Sequence, residues 1–100
     1  MDESKLSEID EQAYELKGVK FKLTLQMREL EKVLSAYKSL QNATPNPTAK
    51  RLVAKCVADV NRAEESVWRA TKEIDNAVKA LKKEWVANGG DPYEWDNAYS

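Results

Sequence analysis

The chain has 100 residues, a net charge of −1, no histidine and one cysteine, and about a third of its residues are charged. That length allows one domain, and the near-neutral balance gives no global electrostatic argument for a nucleic-acid or an acidic partner. The absence of histidine removes the commonest general base and metal ligand. Ala, Leu, Lys, Glu and Val dominate while Gly and Pro are scarce, the profile of a helix-rich or coiled-coil protein.

The start, Met1-Asp2-Glu3-Ser4, is acidic and lacks the basic and apolar regions of a secretory signal. No apolar run approaches the roughly 18 residues that span a bilayer. The lone Cys56 has no internal disulfide partner, which fits a reducing compartment. These features set the expectation of a cytoplasmic chain with no membrane contact, and Asn42-Ala43-Thr44 is then an accidental match to a glycosylation acceptor.

From about residue 4 to 41, apolar residues recur at alternating spacings of three and four: Leu6, Ile9, Ala13, Leu16, Leu23, Met27, Leu30, Leu34 and Tyr37. Lys20 is the one break. This is a coiled-coil seam, and no strand pattern competes with it. Val19, Val33 and Leu40 flank it and are expected to widen it. Gly18 costs about 1 kcal/mol relative to Ala, too little to end so periodic a helix.

Residues 42–46 read as a turn. Asn46 can cap a second helix with Pro47 at its first position. That helix runs over about 47–88 on the seam Val53, Cys56, Val60, Ala63, Val67, Ala70, Ile74, Ala77, Leu81, with Val57, Val78 and Trp85 beside it. Alternate seam positions are small, so a neighbouring helix can approach closely and fill the row with larger side chains. Asn88-Gly89-Gly90-Asp91-Pro92 is a stop signal, leaving an aromatic tail over 89–100.

So short a connection makes the two helices antiparallel neighbours, pairing positions whose numbers sum to about 90. Leu16 then meets Ile74, Met27 meets Ala63, and Lys20 snorkels past Ala70. The acids Asp2, Glu3, Glu8, Asp10, Glu11 and Glu15 lie beside Lys79, Lys82 and Lys83. The expected fold is all-α: two long antiparallel helices forming a coiled-coil-like hairpin, with dimerisation completing a four-helix bundle.

Apolar residues off the seam are the candidate protein-binding set: Tyr14, Phe21 and Leu25 on the far side of the first helix with Gly18 among them, Trp68 on the second, and Tyr93, Trp95 and Tyr99 in the tail. Contiguous exposed apolar surface commonly marks interfaces, and aromatics are favoured hot spots. The bland alternative is that the tail folds back over its own hairpin. A rival site is the basic face of the second helix, Lys55, Arg62, Arg69 and Lys72, where a nucleic-acid backbone could lie beside Trp68; a solvated helix face explains the same charges.

Catalytic chemistry finds little support. Cys56 falls on a seam, where cysteine acts as a small hydrophobe. Glu64 and Glu65 are adjacent on a helix and point apart, which is unsuited to a carboxylate dyad. No phosphate loop surrounds Gly89-Gly90. No catalytic residue, cofactor or metal ligand is assigned.

The turn and helix start, Pro45-Asn46-Pro47-Thr48-Ala49, with Lys72-Glu73-Ile74-Asp75-Asn76-Ala77 further along, resembles type III secretion needle subunits. That resemblance implies a helical hairpin that polymerises. The longer first helix and the Gly-Gly-Asp-Pro aromatic tail depart from that pattern. The functional expectation is a non-enzymatic protein-binding module: an assembly component, an adaptor, or a small inhibitor such as phages and other mobile elements encode.

Overall fold

The structure, a computed structural model, describes residues 3–43 and 45–99. It contains three helices, α1 (Glu3–Ala43), α2 (Pro47–Ala87) and α3 (Pro92–Tyr99). The chain divides into two compact units. One is Met1–Lys22 with Thr71–Ser100, the other Leu23–Ala70. Within each unit a segment of α1 packs against a segment of α2, so the long helices form a hairpin.

The heptad reading of α1 is reproduced residue by residue. Its covered or partly covered positions are Leu6, Ile9, Ala13, Leu16, Lys20, Leu23, Met27, Leu30, Leu34 and Tyr37, continued by Gln41, and its other described residues are exposed. Val19, Val33 and Leu40, expected to widen the stripe, instead stand in solvent at 47%, 41% and 50% exposure. A single antiparallel neighbour covers only the narrow three-four seam, which leaves the flanking positions in solvent. On α2 the seam Val53 to Leu81 is partly covered throughout, together with a second row that includes Val57, Glu64, Thr71, Val78 and Trp85. Long α1 side chains lying on a row of small α2 residues spread over both rows.

Partners lie further along α2 than pairing about the turn requires. Lys20 reaches Asp75 rather than Ala70, and Leu16 shares a trough with Ala77 and Leu81. Part of this offset follows from side-chain direction. In each helix a side chain leans toward its own N-terminus, so a given spot is covered by a residue about one position C-terminal to it. In an antiparallel pair the two leans add.

Asn46 starts α2 as read. Its side-chain oxygen accepts from the backbone N–H of Thr48 at 2.9 Å and of Ala49 at 3.1 Å, and Pro47 holds the first helical position. Asn46→Ala removes that acceptor and should lower stability by about 0.5–2 kcal/mol. Urea denaturation followed by far-UV circular dichroism reads the change; an unaltered midpoint would mean that the cap is redundant. At the other end Gly89, with φ of 90°, follows α2. Gly90 N–H donates to Trp85 O at 2.8 Å and Gly89 N–H to Val86 O at 3.1 Å, the paired bonds of a Schellman motif.

The tail is helical and folds back on its own unit, one of the two alternatives that its aromatic residues left open. Asp91 caps α3, its carboxylate accepting from the Tyr93 N–H at 2.9 Å, and Pro92 takes the first helical position. One turn of helix carries Trp95 and Tyr99 to the same side, and Trp95 is 3% exposed against Ile9 and Ala13. These three are the buried residues among those described, and all belong to the unit formed by the chain's two ends.

Candidate functional site

The two-end unit contains the polar and aromatic cluster that holds α3. Trp95 lies between Trp85 and Tyr99, with ring centroids 5.6 and 4.6 Å away and tilts of 46° and 51°. Such tilted contacts favour ring edge against ring face. Trp85 Nε1–H donates to Asp91 O at 2.9 Å, so its indole is oriented by the α3 cap. Lys17 Nζ donates to Ala98 O at 2.7 Å, close to the carbonyl end of α3, and lies 5.8 Å from the Tyr99 ring centroid. Both contacts suit a cation at a helix C-terminus.

Charge pairs flank this cluster, one reaching α3 and one joining α1 to α2. Lys82 Nζ bonds Asp96 at 2.7 Å, and Lys20 Nζ bonds Asp75 at 2.6 Å. The anticipated matching of Lys82 to N-terminal acids is therefore replaced by a partner on α3, and Asp10 is taken by the Tyr99 hydroxyl. Asp2 lies outside the described residues. A cavity of about 510 Å³ follows this seam, lined by Lys17, Lys20, Lys79 and Lys82 with the Trp95 and Tyr99 rings. Since three of its four ammonium groups already hold a carboxylate or carbonyl, its chemistry is that of helix docking.

The Tyr99 hydroxyl donates to the Asp10 carboxylate and also contacts Asp10 O at 3.0 Å. Burial, then the hydrogen bond to Asp10 and that residue's negative charge, pushes the phenol well above its ordinary value. A pKa raised by folding stabilises the folded state below the unfolded value of about 10 and loses that contribution as pH rises through the folded value. Stability should therefore fall as pH rises beyond about 10, and Tyr99→Phe should flatten that part of the profile. Denaturation midpoints between neutral and strongly alkaline pH measure it, and identical slopes for the two proteins would remove Tyr99 as the cause.

The candidate binding residues separate into two groups. Trp95 is buried and Tyr99 half-buried, so both serve α3 docking in the free chain. Tyr14 at 73%, Phe21 at 65% and Tyr93 at 78% remain exposed in the two-end unit, and Leu25 at 44% and Trp68 at 56% in the other. Nothing lies within 4 Å of where a Gly18 side chain would begin. Leu25 also lines a trough of about 520 Å³ with Leu30, Val33, Ala63 and Val67.

The basic candidates are diluted by acids on their own helix. Arg62 is paired with Asp59 one turn away, and Arg69 with Glu65 at 2.6 Å. Lys55 and Lys72 are exposed beside them. Cys56 is a free, half-buried thiol. Glu64 Oε1 is buried with no hydrogen-bond partner among the described residues. Among those residues no three Cys, Asp or Glu side chains gather as a metal-ligand set, and no described helix is long and apolar enough to cross a membrane.

A second trough in the two-end unit went unread in the sequence. It is lined by Leu16 and Val19 of α1 and Ala77, Ala80 and Leu81 of α2, with Gln12, Glu15 and Glu84 at its edge. The signal for it was present in the small row of α2 and the flanking Val19. The fold class is thus a helical hairpin with a short docked third helix. No protein-family model, no curated protein and no solved structure matches the chain, so the likeness to needle subunits rests on its own residues.

Proposed function

We propose that the chain is a non-enzymatic protein-binding module, an adaptor, assembly component or small inhibitor, that occludes or bridges a protein partner. The observation supporting this reading most directly is the exposure of Phe21 and Trp68, at 65% and 56%, in a chain with three buried residues among those described. Large aromatic side chains left in water gain most from a partner that covers them.

The test is affinity capture with the whole chain and two variants, Phe21→Asp and Trp68→Ala, each verified as helical. Loss of the captured protein with either variant supports the reading, and equal capture by all three excludes these surfaces. Light scattering separates the assembly forms: a stable dimer would make a second copy the first partner, and large polymers would favour a needle-like assembly. DNA or RNA binding that weakens with salt and again with Arg62→Ala and Arg69→Ala would transfer function to α2's basic face.

A further inference from the structure

We infer that the two-end unit carries a docking groove for an amphipathic helix of a partner protein, one whose apolar stripe is flanked by lysine or arginine. This rests on the protein-binding reading and specifies the partner's chemistry. The groove is the trough of about 480 Å³ between α1 and α2 whose floor is Leu16, Ala77 and Leu81. Val19, 47% exposed, forms one wall, and exposed Ala80 leaves the other low. Small residues on one side and aliphatic ones on the other form a shallow channel. A helix can lower leucine-sized side chains into such a channel at intervals of three and four.

Charge selects among the possible occupants. The two charged residues lining the trough are carboxylates, Glu15 on α1 and Glu84 on α2, with Gln12 beside them. The cavity along α3, by contrast, is lined by four lysines and two aspartates. A helix entering the trough carries its flanking residues past Glu15 and Glu84. A neutral flank would strip water from those carboxylates without replacing its hydrogen bonds, and an acidic flank would add like-charge repulsion. Lysine or arginine pairs with both edges. A second copy seated groove to groove would bring Glu15 and Glu84 against their own counterparts, so the same charges oppose the symmetric dimer through this face.

The experiment uses the full chain and two synthetic helical peptides of about 20 residues, a length of roughly 30 Å. Both carry leucine at alternating three and four spacings; one has lysine at the flanking positions and the other glutamate. Fluorescence anisotropy should show saturable one-to-one binding of the leucine–lysine peptide and no measurable binding of the leucine–glutamate peptide. The double variant Glu15→Lys with Glu84→Lys should weaken the first peptide by about tenfold or more, since two attractions become two repulsions, and should admit the second. Val19→Asp, an exposed change that leaves the seam intact, should weaken the first peptide while helix content is retained.

Equal binding of both peptides, or indifference to charge reversal with the helices intact, overturns the proposal. So does a dimer that Val19→Asp converts to monomer, because a second copy then fills the groove. Capture through Phe21 and Trp68 is unaffected by either result, so this inference can fail while the broader protein-binding reading stands.

Discussion

Replacing Trp95 by alanine is expected to destabilise the two-end unit by about 3–5 kcal/mol, the range for removing a buried indole. Trp95 is 3% exposed and clusters with Ile9 and Ala13, and Val78, Leu81, Trp85 and Tyr99 pack against that cluster, so the core it completes joins all three helices of that unit. Without it, Ile9 and Ala13 lose their cover, and α3 retains chiefly polar links such as Lys17 to Ala98 and Lys82 to Asp96. Exposed pairs of that kind each contribute about 0.2–1 kcal/mol. They cannot hold an eight-residue helix that is far too short to be stable alone.

Denaturant unfolding measures the total loss, and native-state hydrogen exchange locates it. Protection should fall first at α3 and around Ile9–Leu16, and much less in Leu23–Ala70. That second unit has no buried residue among those described and does not use Trp95. Unchanged stability in Trp95→Ala would mean that the tail is held elsewhere, and would return its aromatics to the set available for a partner.

The same residue marks where the sequence stops being readable. A three-four periodicity carries a direct physical meaning, because only one face of a helix can be covered by one neighbour. Hence every seam position of α1, even the intruding Lys20, lies where the spacing puts it. Val19, Val33 and Leu40 are equally apolar yet exposed, and no periodicity separates an apolar residue that its own chain covers from one that it leaves in solvent. The fate of the tail stayed open because Gly89-Gly90 ends α2 and obscures the helix start after it. Asp91-Pro92 repeats the cap-and-proline start of Asn46-Pro47, with Trp95 and Tyr99 one turn apart. Two such aromatics on an eight-residue helix gain by docking on an apolar surface of the same unit. Lys82 and Asp10 were placed side by side by the turn-centred register and their opposite charges, whereas ion pairs form at atomic range, and α3 supplies both with partners.

Gly90→Ala is expected to be the most damaging single-methyl change in the chain, at about 1–3 kcal/mol, the cost of overpacking a closed site. A Cβ at that position would overlap Cε2 and Nε1 of the Trp85 indole and lie 2.6 Å from Cδ1. The obstacle is a rigid ring and not the free end of a flexible chain. Trp85 Nε1–H is bound to Asp91 O at 2.9 Å, and the ring packs 5.6 Å from Trp95, so moving it disturbs both the α3 cap and the aromatic cluster. Gly89 is required for another reason, its φ of 90°, where an alanine costs roughly 1–2 kcal/mol through its own backbone. A double-mutant cycle separates the two causes. In a Trp85→Ala background the space opens, and Gly90→Ala should cost almost nothing further, while Gly89→Ala should cost what it does in the wild type. Equal penalties for Gly90→Ala in both backgrounds would place the demand for glycine in the backbone and remove the indole from the argument.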